Sequence, residues 1–178
     1  QGVRASGIER EAVFLTSKVW VDDMGYDKTL AAFEKSLAAL GVKTLDLYLL
    51  HWPVEGLWRA SWRALERLYR ACRVRAIGVG NFPVRLLAEM QDTVEVMPMV
   101  NQVEFHPLYT RSDLYHYCKK QNIQLQAWAP LARGQASAEP KLLEIARRYG
   151  KTPEQVLLRW DIQLGLATIP KSVNPRRI

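Results

Sequence analysis

Residues 45–53 read LDLYLLHWP. An apolar run of this length predicts a strand buried on both faces. Packing alone gives such a strand no reason to end on His51 and Trp52. Five more runs of the same kind follow the chain: AVFLTSKVW (12–20), RVRAIGVGNF (73–82), MVNQVEF (99–105), IQLQAWAP (123–130) and LATIPKS (166–172). Helical patterns separate them. Residues 26–41 place Leu30, Phe33, Leu37 and Leu40 on one stripe, with Gly41 as a C-cap. Residues 61–72 carry Trp62, Leu65, Leu68 and Tyr69 in the same way. Residues 111–122 open with Ser112 as a predicted N-cap, and residues 138–150 end on Gly150. Residues 152–165 have Thr152 as cap, Pro153 at the first helical position and Glu154 in the first turn.

Strand and helix alternating this often predicts a parallel sheet with helices outside it. No linker, low-complexity tract or break in composition divides residues 1–178, which read as one domain. An open nucleotide-binding sheet would show a glycine-rich turn after a strand. GVGNF offers two glycines and runs into Pro83. A (β/α)8 TIM barrel takes about 250 residues, so the fold class expected is α/β, an incomplete (β/α)8 barrel with about six strands.

The bulk properties bound the function. Hydrophobic residues make up 48% and charged residues 24% of the chain, as in ordinary soluble domains. No apolar run approaches the ~18 residues of a membrane span, and the N-terminus lacks the apolar stretch of a secretory signal. Cys72 and Cys118 fit neither a metal site nor a disulfide framework. No metal is expected, and a reduced, cytoplasmic setting is. The net charge of +7 suits an anionic partner. Its cations are scattered, however, and dense only in RRYGK and NPRRI, so nucleic-acid binding is not expected.

The strands end alike. They finish in Lys18-Val19-Trp20, in His51-Trp52, in Asn81, near Gln102, in Trp128 and in Lys171-Ser172. In a (β/α)8 barrel these C-terminal ends converge on the active-site face. Taken singly, each residue has a structural reading. Lys18 could snorkel from its strand, His51 could bond a backbone carbonyl, Asn81 and Gln102 could satisfy loop backbone, and the tryptophans could be core. Three tryptophans at three strand ends favour an aromatic-walled pocket. Lysine and serine just past a strand, with Arg177 six residues on, suit a phosphate.

These stretches resemble the aldo-keto reductase family. LTSKVW, LDLYLLHWP, RAIGVGNF, MVNQVEFHPL, LQAWAPLARG and ATIPKSVNPRRI each match a family motif, in order and spacing, and the likeness is nearest to the prostaglandin F synthase and aldehyde reductase type. The resemblance implies NADPH as cofactor and a small-molecule aldehyde or ketone as substrate. By similarity, Lys18 and His51 are catalytic, Trp20 and Trp52 line the substrate pocket, and Asn81 and Gln102 hold the nicotinamide carboxamide. Trp128 stacks on the nicotinamide, Leu131 joins the cofactor-binding set, and Lys171, Ser172 and Arg177 clamp the 2′-phosphate.

The general acid of the family is a tyrosine, and a free phenol titrates near 10. The lysine cation lowers that value and an aspartate positions the lysine. The family carries that tyrosine and aspartate ahead of the lysine strand. Here residues 1–11 resemble the end of the second family helix, so the first two strands and the C-terminal end are expected to be missing. The alternative to an active reductase is therefore a truncated or degenerate member that at most binds cofactor. A complete member is expected to be a monomer, and a barrel open at two strand edges to self-associate. Gly80 replaces a serine common before Asn81, and Ala129 a serine common after Trp128.

Overall fold

The strand at the centre of the sequence reading is β2 (Leu45–Leu50), buried at all six positions. Two parallel partners flank it, β1 (Thr16–Val19) and β3 (Val74–Gly80). The computed structural model describes residues 5–177, apart from the side chains of residues 136, 137 and 177. The chain divides into two compact units, Gln1–Met99 and Val100–Ile178.

In the first unit, register and alternation decide which side chains share a face. Ser17 lies opposite Tyr48 and Lys18 opposite Leu49. Tyr48 meets Phe33 of α1 (Tyr26–Leu40) edge-on at 5.1 Å, and the Ser17 hydroxyl donates to Ser36 of the same helix at 3.3 Å. Ser17 and Tyr48 therefore face the helices. Alternation along each strand turns Lys18, Leu49 and His51 to the other side.

Asp46 is the exception in this apolar strand. It is 3% exposed, and a bare carboxylate there would carry a heavy desolvation penalty. Three donors meet it at 2.8 Å: the Leu15 amide and the guanidinium groups of Arg10 and Arg75. Burial pushes its carboxyl up. The Leu15 amide and the two arginines more than offset this, and the net shift is downward. The same carboxylate thus ties the approach to β1, the start of β2 and the start of β3.

Behind the strands lie α1, α2 (Trp58–Arg70) and α3 (Val84–Thr93). The α2 helix is anchored by three hydrogen bonds to the segment that follows α3. Buried Glu66 accepts from the Glu95 and Val96 amides at 2.8 and 2.9 Å. The Trp62 indole donates to the Val96 carbonyl at 3.1 Å.

The second unit repeats the plan. β4 (Val100–Glu104) pairs parallel with β5 (Gln124–Trp128), and β5 with β6 (Ala167–Thr168). The helices are α4 (Ser112–Lys120), α5 (Pro140–Tyr149) and α6 (Pro153–Gln163). Phe105 stacks on Trp160 of α6 at 5.6 Å, which turns Asn101, Val103 and Phe105 towards the helices. Gln102 lies opposite Gln126, and Glu104 opposite Trp128, on the other face.

The capping expectations hold with one correction. Gly41 (φ 66°) and Gly150 (φ 60°) are left-handed C-caps, the conformation glycine adopts without steric cost. Thr152 and Gln155 form a reciprocal capping box, which satisfies two amides at the start of α6. Ser112 is not the cap. It is the first helical residue, with Arg111 before it at φ 42°, and its hydroxyl lies 3.3 Å from the His116 ring. The α3 helix was not anticipated, although Leu86, Leu87 and Met90 give it a buried stripe. Cys72 is exposed and Cys118 buried, both as free thiols.

Asp161 closes α6 onto β6. It is fully buried and receives the Thr168 hydroxyl at 2.9 Å. Burial pushes its carboxyl up to about 6, and the Thr168 hydrogen bond offsets only part of that. A folded-state pKa above the unfolded value means stability is complete below pH ~4 and lost as pH rises through ~6. Asp161→Asn is expected to remove that loss. Its thermal midpoint, compared with the unsubstituted chain from pH 4 to 7, should gain steadily as pH rises. Asp46→Ala is expected to cost about 2 kcal/mol at neutral pH, the scale of a hydrogen bond to a charged group, read by denaturant unfolding.

Candidate active site

In the first unit the C-terminal ends of β1, β2 and β3 carry the predicted side chains. Lys18 and His51 stand on one face of adjacent strands. The His51 ring meets Trp20 edge-on at 4.7 Å and lies parallel to Trp52 at 6.5 Å. Trp20 is 49% and Trp52 43% exposed. Both indoles are left largely open rather than packed into the core.

Electrostatics follow from this placement. Burial pulls the His51 imidazole below its ordinary value, and the Lys18 charge lowers it further. Burial likewise pulls the Lys18 amine down. The Lys18 charge disfavours an imidazolium, and near neutral pH His51 is an uncharged ring with one N–H to donate. Protonation is disfavoured in the folded state, so the histidine's contribution to stability falls as pH drops below 6.5.

Asn81 follows β3 in the left-handed region, at φ 62°, which asparagine tolerates better than most residues. Its side-chain amide donates to the His51 carbonyl at 3.2 Å. Gly80, just before it, leaves no space for a side chain. An ideal Cβ there would lie 2.6 Å from the His51 carbonyl oxygen and 3.0 Å from that of Leu50. The sequence marked Gly80 only as a missing serine. Its packing role depends on a contact that no local pattern announces.

In the second unit, Gln102 is 4% exposed and its amide donates to Gln126 at 2.6 Å. Gln126 was not anticipated, although its place two residues before Trp128 puts it on the same strand face. The Arg133 guanidinium lies over the Trp128 ring at 5.8 Å. The loop after β5 carries Ala129, Ala132 and Arg133 at φ 50°, 47° and 52°. Three non-glycine residues held left-handed in so short a stretch cost of order 1 kcal/mol each.

That loop borders two cavities. One of about 340 Å³ is lined by Ala129, Pro130, Leu131, Arg133, Gly134, Glu154, Ile169 and Lys171. The other, about 570 Å³, is lined by Leu131, Thr152, Glu154, Gln155, Leu158, Pro170, Lys171, Ser172 and Arg176. Leu131 also packs on the small core of Ala132 and Leu157. Lys171, Ser172 and Arg176 share the larger cavity with the Glu154 carboxylate and the capped start of α6. Arg176 reaches this cavity and was not singled out in the sequence. The side chain of Arg177 lies outside the described residues.

Among the described residues no helix is long and apolar enough to cross a membrane. No group of three or more His, Cys, Asp or Glu side chains among them is placed to hold a metal ion.

The sequence pattern of the Aldo/keto reductase family matches residues 3–178, and the chain belongs to that family. It is 53% identical over 177 residues to a glyoxal reductase of Bacillus subtilis, covering 99% of this chain and 64% of the relative. Its structure superposes with a TM-score of 0.96 on MGS-M4, an aldo-keto reductase from a deep-sea metagenome library of the Medee basin. That match has 42% identity and covers 98% of this chain and 66% of the other. A Bombyx mori aldo-keto reductase in complex with NADP matches with a TM-score of 0.91 and 31% identity, over 99% of this chain and 64% of the other. The fold is that of an aldo-keto reductase TIM barrel in part, and the chain spans about 64% of the length of such a relative.

Lys18→Met should raise the titration midpoint of His51, followed by NMR of the imidazole, because the repelling charge is gone. The midpoint should stay below 6.5, because burial remains.

Proposed function

We propose that the protein reduces aldehydes or ketones to alcohols with NADPH, residues 1–178 serving as one oxidoreductase domain. The observation that supports this most directly is the Lys18–His51 pair, half-desolvated on one face and walled by Trp20 and Trp52. NADPH would supply the hydride, and a general acid, a tyrosine in the family, the proton that completes the alcohol. The cofactor-bound silkworm relative and the glyoxal reductase add weight to the reading.

The chain's own residues divide the work. The neutral His51 ring donates its N–H to the substrate carbonyl oxygen and orients it, while Lys18 places a positive charge where oxygen becomes negative. Trp20 and Trp52 exclude water from that oxygen. On family resemblance, Asn81 of the first unit, and separately Gln102 and Trp128 of the second, belong to the nicotinamide-binding set. The cavity lined by Leu131, Lys171, Ser172 and Arg176 suits the adenosine phosphate, with Arg177 beside it in sequence. The small-molecule carbonyl is the only partner this chemistry requires, and a cytoplasmic setting suits the free thiols.

A second reading, a member that binds cofactor without turning it over, draws on the tyrosines of the first unit. Tyr26 accepts a hydrogen bond from Arg67 on α2, and Tyr69 lies within α2. Tyr48 faces the helices, its phenol pushed up to about 12 by burial. No described tyrosine of that unit stands on the Lys18–His51 face. Loss of a general acid costs about 10²- to 10⁴-fold in rate.

Tryptophan fluorescence titrated with NADPH and NADH tests the cofactor assignment. NADPH should bind more tightly, and Lys171→Ala should weaken NADPH alone by about tenfold, the scale of one charge-assisted hydrogen bond. Equal affinities would remove the assignment. Binding of NADPH without reduction of 4-nitrobenzaldehyde would select the second reading.

A further inference from the structure

We propose that the Gly80-Asn81 dipeptide is a positioning device for His51, gripping its backbone carbonyl from two sides. This deepens the reading of Lys18 and His51 as a reductase pair and rests on it. The geometry itself stands on contacts within the first unit.

The His51 amide donates to the Val19 carbonyl at 3.2 Å, which joins the end of β2 to β1. Its carbonyl points the other way, to the end of β3. There Gly80 is buried, and a Cβ would overlap that oxygen at 2.6 Å. Backbone atoms cannot swing aside as a flexible side-chain tip can. The close approach thus exists only because residue 80 has no side chain. The chain then turns left-handed at Asn81 and sends the side-chain amide back to the same oxygen at 3.2 Å. His51 is held through its N–H by β1 and through its C=O by β3, and its ring is left to meet Trp20 and the charge of Lys18.

One consequence separates this from plain packing. A serine at position 80 would add its hydroxyl only by pushing the two strand ends apart. Glycine here trades a ligand contact for a tighter grip on the histidine.

The test is imidazole NMR of the chain as it stands, comparing Gly80→Ala, Gly80→Ser and Asn81→Gly. The last keeps the left-handed backbone accessible while deleting the donor. The expected result is a displaced His51 ring resonance, because the Trp20 ring current is strongly distance-dependent, and a titration midpoint moved towards 6.5. The Trp62 indole N–H resonance, held by the Val96 carbonyl in the same unit, should stay in place and serve as the folding control. If Gly80→Ala and Asn81→Gly are folded by that criterion and His51 is unmoved in both, the proposal is wrong. If Gly80→Ala unfolds the chain, Asn81→Gly alone decides, in the same two directions. NADPH titration of the same samples is read separately. Absence of binding by the unsubstituted chain would remove the reductase reading and leave the His51 result standing.

Discussion

One buried carboxylate sets the alignment on which the first unit depends. Asp46 would be strongly destabilising in an apolar strand, yet it is met at 2.8 Å by an amide and two guanidinium groups. Those donors come from three segments: the 3-10 turn before β1, the residue that enters β1, and β3. Sliding either neighbour by one residue would leave the charge without partners and turn every side chain to the opposite face. Five residues further on, the same register delivers Lys18, His51 and Gly80 to the same end of the strands. The polar knot at one end thereby specifies the chemistry at the other.

The division between the two ends is a division of labour. The starts of the strands hold the ion-paired cluster, whose arginines help define the register. The ends hold residues that are half-exposed, desolvated or held in left-handed backbone: Lys18, His51 and Asn81. At these ends the surrounding sheet is stable enough to impose left-handed backbone and partial burial of charge. Asp161 shows that a displaced pKa alone does not mark a site. Its carboxyl is raised by burial, but it lies between α6 and β6 and serves as a junction.

Much of this was legible in the sequence, for a physical reason. Parallel strands covered on both faces must be nearly continuous in apolar character, which holds in full for β2, whereas β1, β5 and β6 are only partly buried and were legible through their alternation with helices. A polar or aromatic residue that ends such a run is conspicuous for the same reason, which brought Lys18, Trp20, His51, Trp52, Asn81, Gln102 and Trp128 forward. Helix ends were legible where local chemistry sets them, at Gly41, Thr152 and Gly150. Ser112 failed as a cap because left-handed Arg111, rather than a side-chain oxygen, begins α4.

Other features required the fold. Asp46 went unremarked in its apolar run, and Arg10 and Arg75 lie far from it along the chain, so nothing local pairs them. Gly80 was visible as an absent serine, and its close approach to the His51 carbonyl is a property of two strand ends. Arg176 reaches a cavity that forms only once the segment after β6 lies beside α6. The amino-acid sequence by itself determined the family, the strand-and-helix order and the residue types available for chemistry, because these depend on periodicity and short-range spacing. The tertiary structure alone decided which charges meet, how deeply Lys18 and His51 are desolvated and what holds His51 in place. Those depend on distances between residues that only the packed strands bring together.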